Sequence, residues 1–160
     1  MTWFLRPRTW FAPPLLVLAL FPGRAAAQGW REAQVWGVAL ASRPALAAGG
    51  LGFAWRDRGR TRIGAAIAAG ASDDGSAAGR VEVTWHFLLD PGRRKGLAVY
   101  GGGGAAVSAT QHRHLRPWVL LVVGAETSPV AKHGLFVEAG LGGGARLAAG
   151  VRFRAARQRR

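Results

Sequence analysis

The stretch Arg80–Leu89, RVEVTWHFLL, alternates along its length. Val81, Val83, Trp85, Phe87 and Leu89 fall on one side of an extended chain, and Arg80, Glu82, Thr84 and His86 fall on the other. A strand sends successive side chains to opposite faces, so this is a ribbon with one apolar and one charged face. In a protein dissolved in water the apolar face turns inward. In a barrel that crosses a membrane it turns outward, and the rest of the chain has to decide between the two.

The beginning of the chain bears on its address. Arg6 and Arg8 precede the apolar run WFAPPLLVLALF, and GRAAAQG then supplies Ala25 and Ala27 in an A-x-A arrangement. A charged start, a short apolar centre and a small-residue exit are the parts of a secretory signal peptide. Residues 1–27 are therefore expected to be cleaved between Ala27 and Gln28. The apolar run is too short to cross a hydrocarbon core of ~30 Å as an anchor. Export also changes the meaning of the net charge of +14, which by itself would suggest nucleic acid; no nucleic-acid partner is expected. The chain has no cysteine, and its four histidines and eight acids are scattered. That excludes disulfides and thiolate chemistry, and no metal or cofactor is expected.

Beyond residue 28 no segment reaches the ~18 consecutive apolar residues of a membrane helix. Short runs separated by turn clusters predict eight strands, near 33–41, 46–56, 61–71, 79–89, 97–108, 117–126, 134–142 and 145–154. Their lengths approach the ~9–11 residues that a tilted strand needs to cross a bilayer. Leu51, Phe53 and Trp55 oppose Gly50, Gly52, Ala54 and Arg56; Ile63, Ala65 and Ile67 oppose Arg62, Gly64 and Ala66. The last two strands repeat the pattern, and only WVLLVV, Trp118–Val123, is apolar on both faces.

The second face is built of Gly, Ala, Arg and Glu. Gly and Ala solvate a sheet poorly and have weak strand propensity, but they suit the interior of a narrow eight-stranded barrel. Closure also removes the open sheet edge that lipid does not tolerate. The apolar face is thus expected to face lipid, and the fold class is all-β, a closed antiparallel up-and-down transmembrane barrel spanning 28–154 with a basic tail at 155–160. Aromatics sort by strand parity: Trp36, Tyr100 and Phe136 lie near odd-strand starts, and Trp55, Trp85, Phe87 and Phe153 near even-strand ends. Trp36, Trp55, Trp85, Phe87, Tyr100 and Phe153 are therefore expected in one interfacial girdle, with Trp118 at the opposite rim.

These features resemble the small eight-stranded outer-membrane barrels, the class of the OmpA and OmpX barrels, over roughly Ala33–Arg154. The resemblance implies residence in the outer membrane among its lipids. It also implies that the barrel insertion machinery reads the final strand RLAAGVRF, which ends in Phe153; here RAARQRR follows it.

Several patterns invite chemistry. GLGGGA and GGGGAA both fit G-x-G-x-x-A, but neither precedes the helix that a dinucleotide site requires. Glu82, Glu126 and Glu138 offer acid/base pairs. They share the expected lumen with Arg56, Arg62, Arg80, Arg146 and Arg152, however, where confined charges are expected to pair. His112 and His114 offer imidazoles to a metal, and with Ser108 and Glu126 they supply the residue types of a lipid-modifying barrel enzyme, without its spacing. The expected function is structural or interactive, with no enzyme activity and no small-molecule substrate identified. The alternatives are a narrow channel, the lipid-modifying enzyme, and a soluble periplasmic barrel whose cavity is lined by Leu51, Phe53, Val83 and Trp85.

Overall fold

The computed structural model describes residues 29–155 other than 58–59, 91–94, 112 and 130, and at 113 and 114 the backbone alone. Within them run eight strands: β1 (Trp30–Ala41), β2 (Leu46–Arg56), β3 (Thr61–Ser72), β4 (Ala77–Leu88), β5 (Leu97–Thr110), β6 (Arg113–Thr127), β7 (His133–Leu141) and β8 (Ala145–Arg154). Each pairs antiparallel with the next, and β8 returns to β1 through Glu32↔Arg154 to Ala41↔Ala145, closing the barrel. The expected signal peptide, most of the basic tail and His112 lie outside the described residues.

β1 begins at Trp30 rather than 33, which brings Glu32 into the barrel, and β6 begins at 113 rather than 117. Turns at 42–45, 73–76 and 142–144 close one end, here the far end, where β5 also gives way to β6. The start of β1, the end of β8 and the ends of the strands joined by the β2–β3, β4–β5 and β6–β7 connections share the near end. Local chemistry makes the far turns tight. Asp74 Oδ1 accepts from the Ser76 amide at 3.0 Å and its hydroxyl at 2.6 Å, while Gly75 takes the left-handed conformation, φ 80°.

The two faces of every strand now have addresses. Val81, Val83, Trp85 and Phe87 stand on the outer wall, and Arg80, Glu82 and His86 are buried inside. The ambiguous WVLLVV resolves the same way: Leu120 (0 % exposed) and Val122 point in, while Val119 (78 %), Leu121 and Val123 point out. Leu51, Phe53, Val83 and Trp85 are all on the outer wall, so the soluble alternative, which placed them around a ligand cavity, is corrected. The lumen holds small side chains, among them Ala54, Ala66, Ala68, Ala106 and Ala148. It also holds larger apolar groups that the Gly/Ala pattern did not announce: Trp36, Leu40, Leu120 and Phe136.

Candidate functional site

The charged groups of the lumen form two tiers. In the near tier Glu126, on β6, accepts hydrogen bonds from Arg56, from Arg152 and from Arg62 Nη1 at 2.9 Å. Arg154 Nε donates to Glu32 Oε1 at 2.8 Å, and Arg56 Nε lies 3.3 Å from the same oxygen. Arg62 also donates to His86 Nδ1, through Nη2 at 2.9 Å. Since that nitrogen is the acceptor, the ring proton sits on Nε2. The Arg62 guanidinium stacks over the Tyr100 ring at 4.4 Å and that of Arg152 over Phe136 at 4.1 Å, an arrangement that suits a planar, weakly hydrated cation.

Tyr100 and Glu138 connect the tiers. The Tyr100 hydroxyl donates to Glu138 Oε1 at 2.8 Å and accepts from Arg152 Nη2 at 3.0 Å. Glu138 Oε2 accepts from Arg146 Nη1 at 3.0 Å. Arg146 turns its other edge to Glu82, through Nε at 3.1 Å and Nη2 at 2.9 Å. Glu82 Oε1 also accepts from Arg80 Nε at 2.6 Å. Arg80 then ends the chain of bonds, donating to Ser108 Oγ at 2.7 Å and to the Gly142 carbonyl at 2.9 Å.

All eight residues expected in a lumen network are thus buried and bonded to one another in a connected set. Sequence reasoning missed four members: Glu32, His86, Tyr100 and Arg154. The signal was present for two, because His86 and Arg154 share strand parity with residues already placed inside; Glu32 precedes the expected first strand and shares parity with Trp36, which was expected on the outer wall. Bidentate and charge-assisted bonds of this kind are the strong ones, and each carboxylate of the set is held by at least one arginine. Between the tiers a chamber of about 20 Å³ remains, bordered by Trp36, Glu82, His86, Glu138 and Arg146 among others.

The girdle expectation divides. Trp85, Phe87 and Phe153 are exposed on the outer wall towards the near end, with Trp55 half-buried beside them. Trp85 stacks on Phe87 at 5.3 Å. Trp36 and Tyr100 are not on that wall: both are buried in the lumen. Their parity explains the error, since Trp36 shares a face with Glu32, and Tyr100 with Ala98. Position along a strand sets the height of an aromatic, whereas parity sets its side.

Among the described residues, Ser108 and Glu126 of the enzyme-like constellation do not come together. Ser108 lies near the far end and is bonded to Arg80. It pairs with Arg116 across to β6, ten residues or about 33 Å of strand from Glu126. His112 lies outside the described residues, and of His114 only the backbone is described. GGGGAA runs through the middle of β5, and GLGGGA forms the β7–β8 turn, where Gly143 has φ 90°; among the described residues no helix follows either.

No protein-family profile and no curated protein matches the chain. Among solved structures, the N-terminal β-barrel domain of Pseudomonas aeruginosa OprF is similar, with a TM-score of 0.61 at 11 % identity, covering 80 % of this chain and 98 % of that one. The fold is that of the small outer-membrane barrels. Neisserial surface protein A is similar too, with a TM-score of 0.54 at 10 % identity over 78 % of this chain and 96 % of that one. A third match is Ail, the attachment invasion locus protein of Yersinia pestis, solved with the heparin analogue sucrose octasulfate. Its TM-score is 0.45 at 10 % identity, over 79 % and 97 % of the two chains. The likeness to the outer-membrane barrels is one of fold.

Proposed function

We propose that this chain is an exported outer-membrane barrel with residues 1–27 removed, a lumen closed by its ion-pair network, and a structural or interaction role. One observation carries this: the outer wall is apolar on every strand while the charge is inside. Leu51, Ile67, Val83, Leu121, Leu135 and Leu147 are each more than half exposed. A soluble monomer rarely leaves a contiguous apolar patch above a few hundred Å², whereas hydrocarbon welcomes such a belt and a closed barrel leaves no backbone edge unpaired. Trp55, Trp85, Phe87 and Phe153 then serve as the near-end part of an interfacial girdle.

Conduction and catalysis fit less well. Eight strands enclose about the width that side chains alone fill, and here arginines bridge carboxylates across it. A catalytic carboxylate needs access to a substrate, and Glu82, Glu126 and Glu138 are each buried against arginine. The partners of this reading are outer-membrane lipids and the insertion machinery, which would read the last strand up to Phe153. The exposed Arg31, Arg60, Lys95 and Lys132 at the near end would favour anionic headgroups by about 1 kcal/mol each.

The test is fractionation of cells expressing the full chain. The protein should sediment with outer membranes, resist extraction by salt, dissolve in detergent, and run differently on gels before and after heating. A detergent-free monodisperse monomer would overturn the reading.

A further inference from the structure

The far mouth of the barrel contains a cavity of about 270 Å³ that the network does not occupy. Leu40, Leu46 and Trp118 give it apolar walls. Ser108 lies at its inner side, where Arg80 holds both the Ser108 hydroxyl and the Gly142 carbonyl, so the cavity is a blind cup that opens outward. Arg43 and Arg116 stand at the rim, exposed, and neither has an ion-pair partner among the described residues. The acids of this end, Asp73 and Asp74, belong to the β3–β4 turn and do not line the cup. Asp74 accepts from the hydroxyls of Ser72 and Ser76. Thr110 also lines the cup, and its buried Oγ1 has no hydrogen-bond partner, the kind of atom that calls for an explanation.

We infer that this cup binds a small amphipathic monoanion of the size and chemistry of a medium-chain carboxylate. An apolar interior selects a hydrocarbon body, two unpaired guanidiniums select an anionic head, and the free hydroxyl offers that head a further donor. Size sets the class. A 150 Å³ cavity takes benzene, so 270 Å³ takes about eleven heavy atoms, close to the roughly ten of octanoate. A two-chain membrane lipid is too large to enter. Because the inner side is closed, the site binds without passing its ligand through the barrel.

The probe is radiolabelled octanoate, added to the full chain in zwitterionic nanodiscs, with uptake by empty nanodiscs subtracted. One saturable site per chain is expected. Arg43→Gln with Arg116→Gln should weaken it at least tenfold while leaving the heat-dependent gel shift intact, since both side chains are on the surface. Leu46→Phe should weaken binding by filling the cup, and octanol should not compete. Absence of saturable binding by a chain that shows the gel shift would overturn the inference and leave the outer-membrane reading standing. Undiminished binding by the double arginine variant, or competition by octanol at octanoate's concentration, would also overturn it.

Discussion

Arg146 on β8 donates two hydrogen bonds to Glu82 on β4, at 3.1 and 2.9 Å. In the closed order β1 to β8 these strands are four places apart in either direction, so the pair crosses the full width of the lumen. It ties opposite walls together that share no backbone hydrogen bond.

Glu82→Gln therefore removes a charge that Arg80 and Arg146 both use. Breaking a buried pair by neutralising one partner costs about 3–5 kcal/mol. Combining it with Arg146→Gln should recover part of that loss, with a coupling of about 0.5–3 kcal/mol. Urea titrations of folding into lipid vesicles would measure both. Additive losses would mean that the two residues do not act as a pair.

Val83 separates lipid from water outside the barrel. It stands half exposed on the outer wall. In a bilayer Val83→Arg should cost about 2–4 kcal/mol at the depth of the midplane. If water surrounded the wall, the same change would fall within about 0.5 kcal/mol of neutral. The same vesicle titration distinguishes these results.

Gly124 and Gly37 make a matched test of the two faces. A Cβ on Gly124 would lie 2.6 Å from Cζ of Tyr100, whereas one on Gly37 would meet only the Ala48 carbonyl, at 3.7 Å. Gly124→Ala should thus displace Tyr100 from Glu138 and Arg152 and cost about 1–3 kcal/mol by overpacking. Gly37→Ala should fold as the parent does. Equal titration midpoints for the two variants would contradict the packing described for the lumen.

Purified protein in planar bilayers should carry negligible ion current, because bonded side chains cross the lumen in both tiers. Reproducible conductance steps from the parent chain would favour the channel alternative.

Most of the architecture was legible because a strand with one exposed apolar face and one packed, charged face writes the two into alternate residues. RVEVTWHFLL shows this most clearly. Trp118–Val123 did not, since Leu120 and Val122 pack inside against the lumen while Val119 and Leu121 face outward, and both environments accept aliphatic groups. Trp36 and Tyr100 were misplaced for a related reason: an aromatic suits a membrane interface and also suits a lumen where arginines can stack on it. The connected order of the network, from Glu126 through Tyr100, Glu138 and Arg146 to Arg80, depends on strand register. Residues 64 apart such as Arg146 and Glu82 carry no local trace of their pairing.

An outer-membrane barrel turns its apolar face to lipid. The chain has no cysteine, so single spin labels can be placed at Val83→Cys, Ile67→Cys and Leu121→Cys and read by collision with oxygen, which concentrates in hydrocarbon, and with a nickel chelate, which stays in water. In reconstituted bilayers all three positions should show high oxygen and low chelate accessibility. High chelate accessibility there, in folded protein, would contradict that orientation.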